Sequence, residues 1–235
     1  MLEAHVIETL SSVTTATLTT ILFKKGYRNV WIRGAMPLAG GQPRVVGQAF
    51  TLRFIPARED IASPAAWSSP TSTRAAVEAM PEGCVAIGGT MGIADAGIFG
   101  DILCARMAQR GVRGLVTDGA VRDRAGILTS GLAVWSGQVA APPAVAQMAF
   151  VGWQEPIGCG GVAIFPNDII VADDDGAVVI PAAVLGDVVA VAAEQERLEA
   201  WILQEVLKGA ALTGLYPMSK ENQARYDLET AAQRD

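Results

Sequence analysis

The side chains of this sequence with the clearest chemical potential are two aspartates and an arginine. Twenty residues lie between Asp101 and the adjacent pair Arg122 and Asp123. Aspartate oxygens are hard ligands that Mg²⁺ and Mn²⁺ accept within a largely water-filled shell. A guanidinium offers a fixed fork for a carboxylate or for a developing enolate oxygen. Brought together, these side chains would hold a divalent metal and a small anion, and we predict chemistry on a keto acid.

The sequence that leads up to Asp101 and continues to Arg122 predicts a strand–helix–strand unit. Residues 85–88 form a short apolar run ending in glycine, which is typical of a buried strand. Residues 98–110 carry apolar side chains at helical spacing, and residues 112–116 predict the next strand. A unit of this length makes a parallel pair with a right-handed crossover. The acid at the helix start and the arginine–aspartate pair then meet at the carboxyl edge of the sheet, where ligands bind in open parallel sheets.

The start of the predicted helix suggests a way to bind an anion. The backbone N–H groups of Ile102 and Leu103 have no partner within a helix and can receive a substrate carboxylate, which the helix dipole favours. Asp101 could hold a water molecule beside the metal and steer its proton. The spacing fits an alternative equally well: Asp101 only caps the helix, and Arg122 and Asp123 form a solvated pair at a turn.

Length and composition restrict the class of protein. A chain of 235 residues that is 51% hydrophobic fits one large domain with terminal appendages. It has no segment like a signal peptide and no apolar run of the ~18 residues that a membrane span needs, so we expect a cytoplasmic protein with no membrane contact. The net charge of −6 and the lack of a basic run argue against a nucleic-acid partner.

Side chains that serve other mechanisms are scarce. The single histidine, His5, lies in the opening helix, which leaves a Ser-His-Asp or Cys-His mechanism without a base. Cys84, Cys104 and Cys159 show no CxxC or CxxH spacing, which argues against zinc and against disulfides. A Schiff-base aldolase needs a desolvated lysine. The lysines all lie outside the apolar central region: Lys24, Lys25, Lys208 and Lys220. Metal-assisted chemistry is favoured by elimination.

The remaining pattern predicts a mixture of helices and strands. Predicted helices cover residues 3–25 with a break near Ser11 and Ser12, residues 71–80, a short stretch after Asp123, and Pro181 to about Lys208. Predicted strands cover residues 45–55, 132–135, 162–165, 169–172 and 177–180, the last two as a hairpin. Gly47 is predicted to be a β-bulge or a site where another backbone segment approaches closely, and residues 56–70 are predicted to form a loop. The glycine-rich residues 88–97 are a pocket wall or a flexible turn, since they lack a dinucleotide-binding pattern. Residues 210–235 form a polar, partly helical tail that we expect to pack on a neighbouring chain.

Several segments together resemble the RraA-like family. That family contains the regulator of ribonuclease activity A and the metal-dependent 4-hydroxy-4-methyl-2-oxoglutarate / 4-carboxy-4-hydroxy-2-oxoadipate aldolases. The resemblance runs from about residue 35 to residue 200. It rests on residues 47–51, 100–103, 111–114, 117–123, 160–162 and 166–176.

The resemblance implies an α/β fold of the swivelling β/β/α sandwich type. Residues 1–235 would form a single domain, with a core at about 35–200, a helical N-terminal part at 1–26 and a C-terminal tail at 209–235. Chains of this family are expected to assemble into homotrimers or hexamers whose active sites lie near subunit interfaces.

The resemblance also implies roles for the residues singled out above. Asp123 would anchor the Mg²⁺ or Mn²⁺ ion, and Arg122 would contact the 2-oxo acid substrate. Gly100 and the two N–H groups after Asp101 would belong to the substrate-binding surface. Asp101 would take part in catalysis through the water network.

The activity that follows is a divalent-metal-dependent lyase. It would cleave the C3–C4 bond of 4-hydroxy-2-oxo acids to give pyruvate and would also decarboxylate oxaloacetate. One alternative is a non-enzymatic regulator that binds a ribonuclease. Another is a sugar-acid pathway dehydratase or aldolase acting on 2-oxo-3-deoxy acids.

Two positions depart from the family pattern. Members often carry an acidic residue three positions after the metal-binding aspartate, where this chain has Gly126. An acidic residue from a neighbour's C-terminal region is also expected. The candidates here are Glu194, Glu196 and Glu199, for which exposure on a helix is the simpler interpretation.

Overall fold

A mixed β-sheet runs through the middle of the chain, and helices cover it. The computed structural model describes residues 2–230. The helices are α1 (Ala4–Ser12), α2 (Thr15–Lys24), α3 (Thr73–Ala79), α4 (Asp101–Gln109), α5 (Arg124–Ser130), α6 (Leu185–Leu207) and α7 (Lys220–Thr230). The strands are β1 (Met36–Pro37), β2 (Val45–Pro56), β3 (Val85–Gly89), β4 (Gly114–Thr117), β5 (Ala120–Val121), β6 (Ala133–Ser136), β7 (Gln138–Val139), β8 (Met148–Trp153), β9 (Ile157–Cys159), β10 (Val162–Ile164), β11 (Ile169–Asp173) and β12 (Gly176–Ile180).

The main sheet has the strand order β1-β6-β4-β3-β2-β11-β12, and β8 pairs with the second half of β2. Strands β2, β3, β4 and β6 run parallel to their neighbours within this group, whereas β11, β12 and β8 pair antiparallel. Two short pairs, β9–β10 and β5–β7, stand outside the main sheet. The predicted α/β class and the predicted β11–β12 hairpin are confirmed.

The predicted strand–helix–strand unit is present as β3–α4–β4. Every residue of β3 and of β4 is buried, as expected of parallel strands covered on both faces. Alternate residues of β3 serve different clusters: Ala86 faces the α3–α4–α5 side, and Ile87 faces the β9–β10 side. The β2 prediction is confirmed, and at Gly47 a Cβ atom would lie 2.6 Å from the carbonyl oxygen of Gly83. Gly47 is therefore a site of close approach.

The N-terminal helices pack on the far end of the sheet. Leu10 and Leu18 are fully buried in a cluster with Val188 of α6 and with β11 and β12. The break between α1 and α2 falls at Val13 and Thr14, close to the predicted position, and the Thr14 side chain caps α2 by accepting a hydrogen bond from the N–H of Thr17 at 3.2 Å. By length and composition, no single helix among residues 2–230 could cross a membrane; α1 and α2 meet that test only as a pair, bent by 103°.

Strands β8 and β9 were not predicted. The burial of β8 does not alternate cleanly, so its residues give no period-2 pattern to detect. Its partner is the part of β2 beyond a bulge between Arg53 and Phe54, about a hundred residues earlier in the chain. The pairing is non-local, so no hairpin turn next to β8 in the sequence predicts it. The predicted loop at 36–43 likewise contains the two-residue strand β1, which pairs with β6.

The C-terminal tail folds back on its own chain. Tyr226 of α7 is only 1% exposed, and its ring centroid lies 5.5 Å from that of Trp201 on α6. Arg225 forms an ion pair with Glu205 of α6. The described part of the tail thus packs on α6 of its own chain, whereas packing on a neighbouring chain stays a prediction, and residues 231–235 lie outside the described residues. Helix α6 begins at Leu185, after a 3-10 turn at Ala182–Val184 that follows Pro181.

The three cysteines are predicted to be unreactive in the folded protein. All three are free and buried, and burial raises the pKa of the Cys84 and Cys104 thiols to about 12 and that of Cys159 well above its usual value. Because the thiolate is the reactive form, a chromogenic disulfide reagent at pH 8 should titrate no thiol in the native protein and all three in guanidinium chloride. Rapid reaction of any thiol in the native state would contradict the burial.

Candidate active site

A cleft of about 270 Å³ opens where helix α4 begins. It lies beyond the carboxyl ends of the parallel strands β3 and β4, at the edge predicted from the sequence. The residues that line it come from α3 and the loop before it, from the first turn of α4 and the loop before it, from the segment after β5, and from the turn after β7: Trp67, Thr73, Arg74, Gly97, Ile98, Gly100, Asp101, Ile102, Leu103, Arg122, Asp123, Pro143 and Ala144. All six predicted site residues are among them.

Backbone pairing fixes the start of α4 beside Arg122. The N–H of Ile98 donates to the carbonyl oxygen of Ala120 at 2.9 Å, and the N–H of Arg122 donates to that of Phe99 at 2.9 Å. A Cβ atom on Gly97 would lie 2.7 Å from the backbone nitrogen of Arg122. The segment before α4 can therefore approach β5 this closely only because residue 97 is glycine.

Arg122 and Asp123 form an ion pair within the cleft. The Nε of Arg122 donates to Oδ2 of Asp123 at 3.1 Å, and both side chains are partly exposed. Asp123 adopts a left-handed backbone conformation, with φ 56° and ψ 44°, directly before α5. A Cβ atom on Gly100 would lie 2.5 Å from Oδ2 of Asp123. The Gly100 position thus makes room for the Asp123 carboxylate.

Asp101 is the first residue of α4, and its carboxylate turns back onto the helix. Oδ1 accepts a hydrogen bond from the N–H of Ile102 at 2.7 Å. One of the two N–H groups expected to bind a substrate carboxylate is therefore engaged by Asp101. Among residues 2–230, the N–H of Leu103 has no acceptor. The N-cap of α4 is Gly100 and not Asp101, so the capping interpretation is wrong in its residue, although Oδ1 of Asp101 does accept from a first-turn N–H. Oδ2 of Asp101 has no hydrogen-bond donor in the described chain.

Gly126 lies directly against Asp101. A Cβ atom at position 126 would lie 2.5 Å from Cβ and 2.6 Å from Oδ2 of Asp101. An acidic side chain at this position, as in many family members, could not be accommodated unless Asp101 moved. The glycine therefore gives Asp101 the space that a longer side chain would occupy.

Asp118 orders the glycine-rich loop, a role that its position in the sequence does not indicate. Its Oδ1 accepts from the N–H and the hydroxyl of Thr90, each at 2.8 Å, and its Oδ2 accepts from the N–H groups of Gly92 and Gly160, each at 3.0 Å. One carboxylate thus ties the loop after β3 to the turn between β9 and β10. Since Gly97 at the end of this loop also lines the cleft, the pocket-wall interpretation is favoured over a flexible turn.

Seven of the lining residues were not predicted as site residues, and three of these come from one separate part of the chain. Trp67 belongs to a 3-10 turn in the predicted loop, and Thr73 and Arg74 begin α3. The sequence predicted this helix and its Ser72 cap, and the Ser72 side chain accepts from the N–H of Ala75 at 3.2 Å. Nothing in the sequence indicated that α3 would meet the start of α4.

The donor set of the cleft suits a cation that keeps most of its water. Among residues 2–230, no group of three or more histidine, cysteine or acidic side chains could hold a metal ion. Mg²⁺ often needs only one or two protein carboxylates, with waters and substrate completing its shell. The Asp123 carboxylate, partly exposed at the cleft, fits that pattern. The described residues of this chain do not form a closed metal-binding cage on their own.

The acidic residues proposed for the C-terminal region are engaged elsewhere in their own chain. Glu196 accepts from the N–H of Thr14 at 3.2 Å, and Glu199 accepts from the hydroxyl of Thr17 at 2.9 Å. Glu194 pairs with Arg197 on α6. All three residues are thus only partly exposed and help to hold α6 or to join it to α2, which differs from the simple exposure expected of them.

A pair of glycine substitutions tests the contact between Gly126 and Asp101. Gly126 and Gly186 both lie in the first turn of a helix, but nothing lies within 4 Å of a Cβ built on Gly186. Gly186→Ala should raise the free energy of unfolding by up to about 1 kcal/mol through helix propensity. Gly126→Ala should lower it by about 1–2 kcal/mol because Asp101 must shift. Denaturant titration measures both, and an equal gain in the two variants would show that position 126 has room.

Comparison with known proteins identifies relatives of this chain. Streptomyces coelicolor RraAS2, described as an unusual member of the RNase ES inhibitor RraA protein family, has a structure that matches with a TM-score of 0.76 and 30% identity over 85% of this chain and 96% of that one. Protein DlpA of Legionella pneumophila is 28% identical over 191 residues, which is 81% of this chain and 28% of DlpA. A Halalkalibacterium halodurans protein named "Putative 4-hydroxy-4-methyl-2-oxoglutarate aldolase" is 39% identical over 85 residues, 36% of this chain and 40% of that protein.

The match to these two curated relatives spans well under two thirds of the length of either. The likeness to RraAS2 extends over nearly the whole of that structure and confirms the predicted fold. A family model named RraA-like and described as Aldolase/RraA matches residues 14–179. The chain belongs to the RraA-like family.

Proposed function

We propose that this protein is a divalent-metal-dependent lyase that cleaves the C3–C4 bond of 4-hydroxy-2-oxo acids and releases pyruvate. Decarboxylation of oxaloacetate, which breaks the same bond, is proposed as a related activity. The observation that carries the proposal is the convergence of Asp101, Arg122 and Asp123 on one cleft, at the N-terminus of helix α4. Membership of a family described as Aldolase/RraA supports it.

The first step is recognition of the 2-oxo acid end of the substrate. The N–H of Leu103, free at the start of α4, can donate to the C1 carboxylate, and the helix dipole adds to that attraction. Only Nε of Arg122 is engaged with Asp123, so the terminal nitrogens of the guanidinium are free to donate to the substrate. A Mg²⁺ or Mn²⁺ ion held by Asp123 would supply Lewis-acid polarisation of the C2 carbonyl.

The second step breaks the carbon–carbon bond. A base takes the proton of the C4 hydroxyl, the C4–O bond becomes a carbonyl, and the C3–C4 electron pair passes into the enolate of pyruvate. Arg122 stabilises the negative charge that develops on the enolate oxygen. The proposed base is a water molecule held by Oδ2 of Asp101, the oxygen that the N–H of Ile102 leaves free. The enolate then takes a proton at C3.

Oxaloacetate follows a shorter course. Its C3–C4 bond breaks with loss of CO₂, so the reaction needs enolate stabilisation and no base for a C4 hydroxyl. The two substrates therefore separate the proposed role of Asp101 from those of Arg122 and Asp123. The trimer or hexamer, and any acidic residue that a neighbouring chain contributes, stay predictions.

Substitution of Asp101 is the sharpest test of this division of labour. Asp101→Asn should slow pyruvate formation from 4-hydroxy-2-oxoglutarate by about 10²- to 10⁴-fold, the range typical of a lost acid–base group. Decarboxylation of oxaloacetate should fall less than about tenfold. Both rates are measured with Mg²⁺ or Mn²⁺ by coupled reduction of pyruvate, and equal losses on the two substrates would remove Asp101 from the proton-transfer step.

Two further measurements test the proposed metal role of Asp123. Asp123→Asn, or excess chelator with the unaltered protein, should abolish both activities, whereas Asp174→Asn, at an exposed turn, should change neither. If Asp123→Asn or chelator leaves turnover intact, the proposed metal role is wrong. If the unaltered protein turns over neither substrate with any divalent metal, the lyase proposal itself is wrong.

A second candidate function is binding of a ribonuclease without catalysis. It is favoured by the likeness to RraAS2, whose family is described as inhibitors of RNase ES. We expect the lyase proposal to hold over it, so a purified RNase E-type ribonuclease should form no stable complex in size-exclusion chromatography at micromolar concentrations. A stable complex together with absent keto-acid turnover would favour the regulator.

A further inference from the structure

A second arginine lines the cleft, and the proposed reaction leaves it without a role. Arg74 comes from the first turn of α3, whereas Arg122 follows β5. The charged residues that line the cleft are Arg74, Asp101, Arg122 and Asp123. In the proposed reaction the last three act on the C1 to C4 atoms, which leaves one guanidinium facing the rest of the substrate.

Arg74 is not neutralised within the chain. Among residues 2–230, no carboxylate forms an ion pair with it, and its hydrogen bond to the carbonyl oxygen of Trp67 is long, at 3.4 Å. The carboxylate that would pair with it along the helix is Glu78, four residues later. That carboxylate is taken by α4: Arg106 donates to it at 2.8 and 2.9 Å, and Arg110 donates at 3.2 Å.

Trp67 holds the free guanidinium in place. The Arg74 Cζ atom lies 5.4 Å from the centroid of the indole ring, within the range of a cation–π contact. A guanidinium that already lies on an aromatic surface loses less freedom when it binds a ligand, and its planar fork matches a carboxylate. Trp67 is itself a wall of the cleft and is 39% exposed.

The charge balance of the cleft indicates what the Arg74 guanidinium binds. The two arginines and two aspartates cancel, so a divalent cation would leave the occupied cleft with two positive charges. A substrate with one carboxylate leaves one charge uncompensated, whereas a substrate with two carboxylates balances both. The unpaired Arg74 is the group placed to receive the second one.

We propose that Arg74, held on the ring of Trp67, is a specificity-determining residue that binds a second carboxylate on the C4 side of the substrate. The inference rests on the proposed lyase function and adds one residue to it: Arg74 makes the enzyme prefer 4-hydroxy-2-oxo acids that carry an acid group on the fragment released as the aldehyde or ketone. The carboxylate is bound and is not altered during the reaction.

The test compares two substrates that differ only in that group. 4-Hydroxy-2-oxoglutarate has a terminal carboxylate where 4-hydroxy-2-oxopentanoate has a methyl group. Arg74→Gln should lower the ratio of their kcat/KM values by about 10- to 100-fold, the cost of a lost hydrogen-bonded charge partner, chiefly through a higher KM for the diacid. Arg74→Lys should recover part of the ratio. Arg113→Gln, an exposed arginine that does not line the cleft, should leave it unchanged.

Equal losses on both substrates, or none on either, would overturn the assignment of Arg74. A binding measurement keeps this outcome apart from failure of the lyase proposal. 2-Oxoglutarate and 2-oxopentanoate lack the C4 hydroxyl and are not cleaved, so calorimetric titration in the presence of Mg²⁺ reports recognition alone. The Arg74→Gln variant should bind 2-oxoglutarate at least tenfold more weakly than the unaltered protein and bind 2-oxopentanoate equally well. If the unaltered protein does not prefer 2-oxoglutarate, the inference is wrong whether or not turnover occurs.

Discussion

The candidate site depends on how closely two helix starts and one short strand can approach each other. At Gly97, Gly100 and Gly126 a Cβ atom would lie 2.5–2.8 Å from atoms of Arg122, Asp123 or Asp101. Real side chains cannot approach so closely, so these positions admit only glycine in the present arrangement. The absence of three side chains lets an arginine and two carboxylates share one cleft. The rest of the fold holds the backbones that meet there.

Strand packing, a hydrogen-bond network and ion pairs between helices hold these backbone segments in place around the cleft. Parallel strands β3 and β4, buried on both faces, bring the loop after β3 and the turn after β4 to the same edge. Asp118 fixes the loop by bonding to Thr90 and Gly92 and joins it to the β9–β10 turn through Gly160. On the outer side, the exposed cluster of Glu78 with Arg106 and Arg110 joins α3 to α4. That contact sets the wall from which Arg74 and Trp67 reach the cleft.

The sequence predicted the parts of this arrangement that depend on local patterns. Hydrophobic periodicity located β3, α4 and β4, and the right-handed crossover then brought Asp101 to the same edge as Arg122 and Asp123. Contacts between segments far apart in the chain have no comparable pattern in the local sequence, so they were not predicted. Strand β8 pairs with β2 across about a hundred residues, and Arg74 reaches the cleft only because α3 packs on α4. The fit of Gly126 against Asp101, where an added Cβ atom would lie 2.5 Å from the Asp101 Cβ atom, depends on interatomic distances that residue types alone do not reveal.

The left-handed backbone of Asp123 restricts how this position can change over evolution. Glycine, asparagine and aspartate are the residues that adopt such a conformation readily, and β-branched or bulky side chains do so at a cost. Of the three, aspartate alone brings a negative charge, asparagine brings a neutral oxygen, and glycine brings no ligand. For the proposed metal site, one substitution to asparagine or glycine could therefore weaken the binding of a cation, whereas replacing the proposed ligand by glutamate would strain the turn before α5. The geometry of a single residue thus confines the position to a narrow set of chemistries.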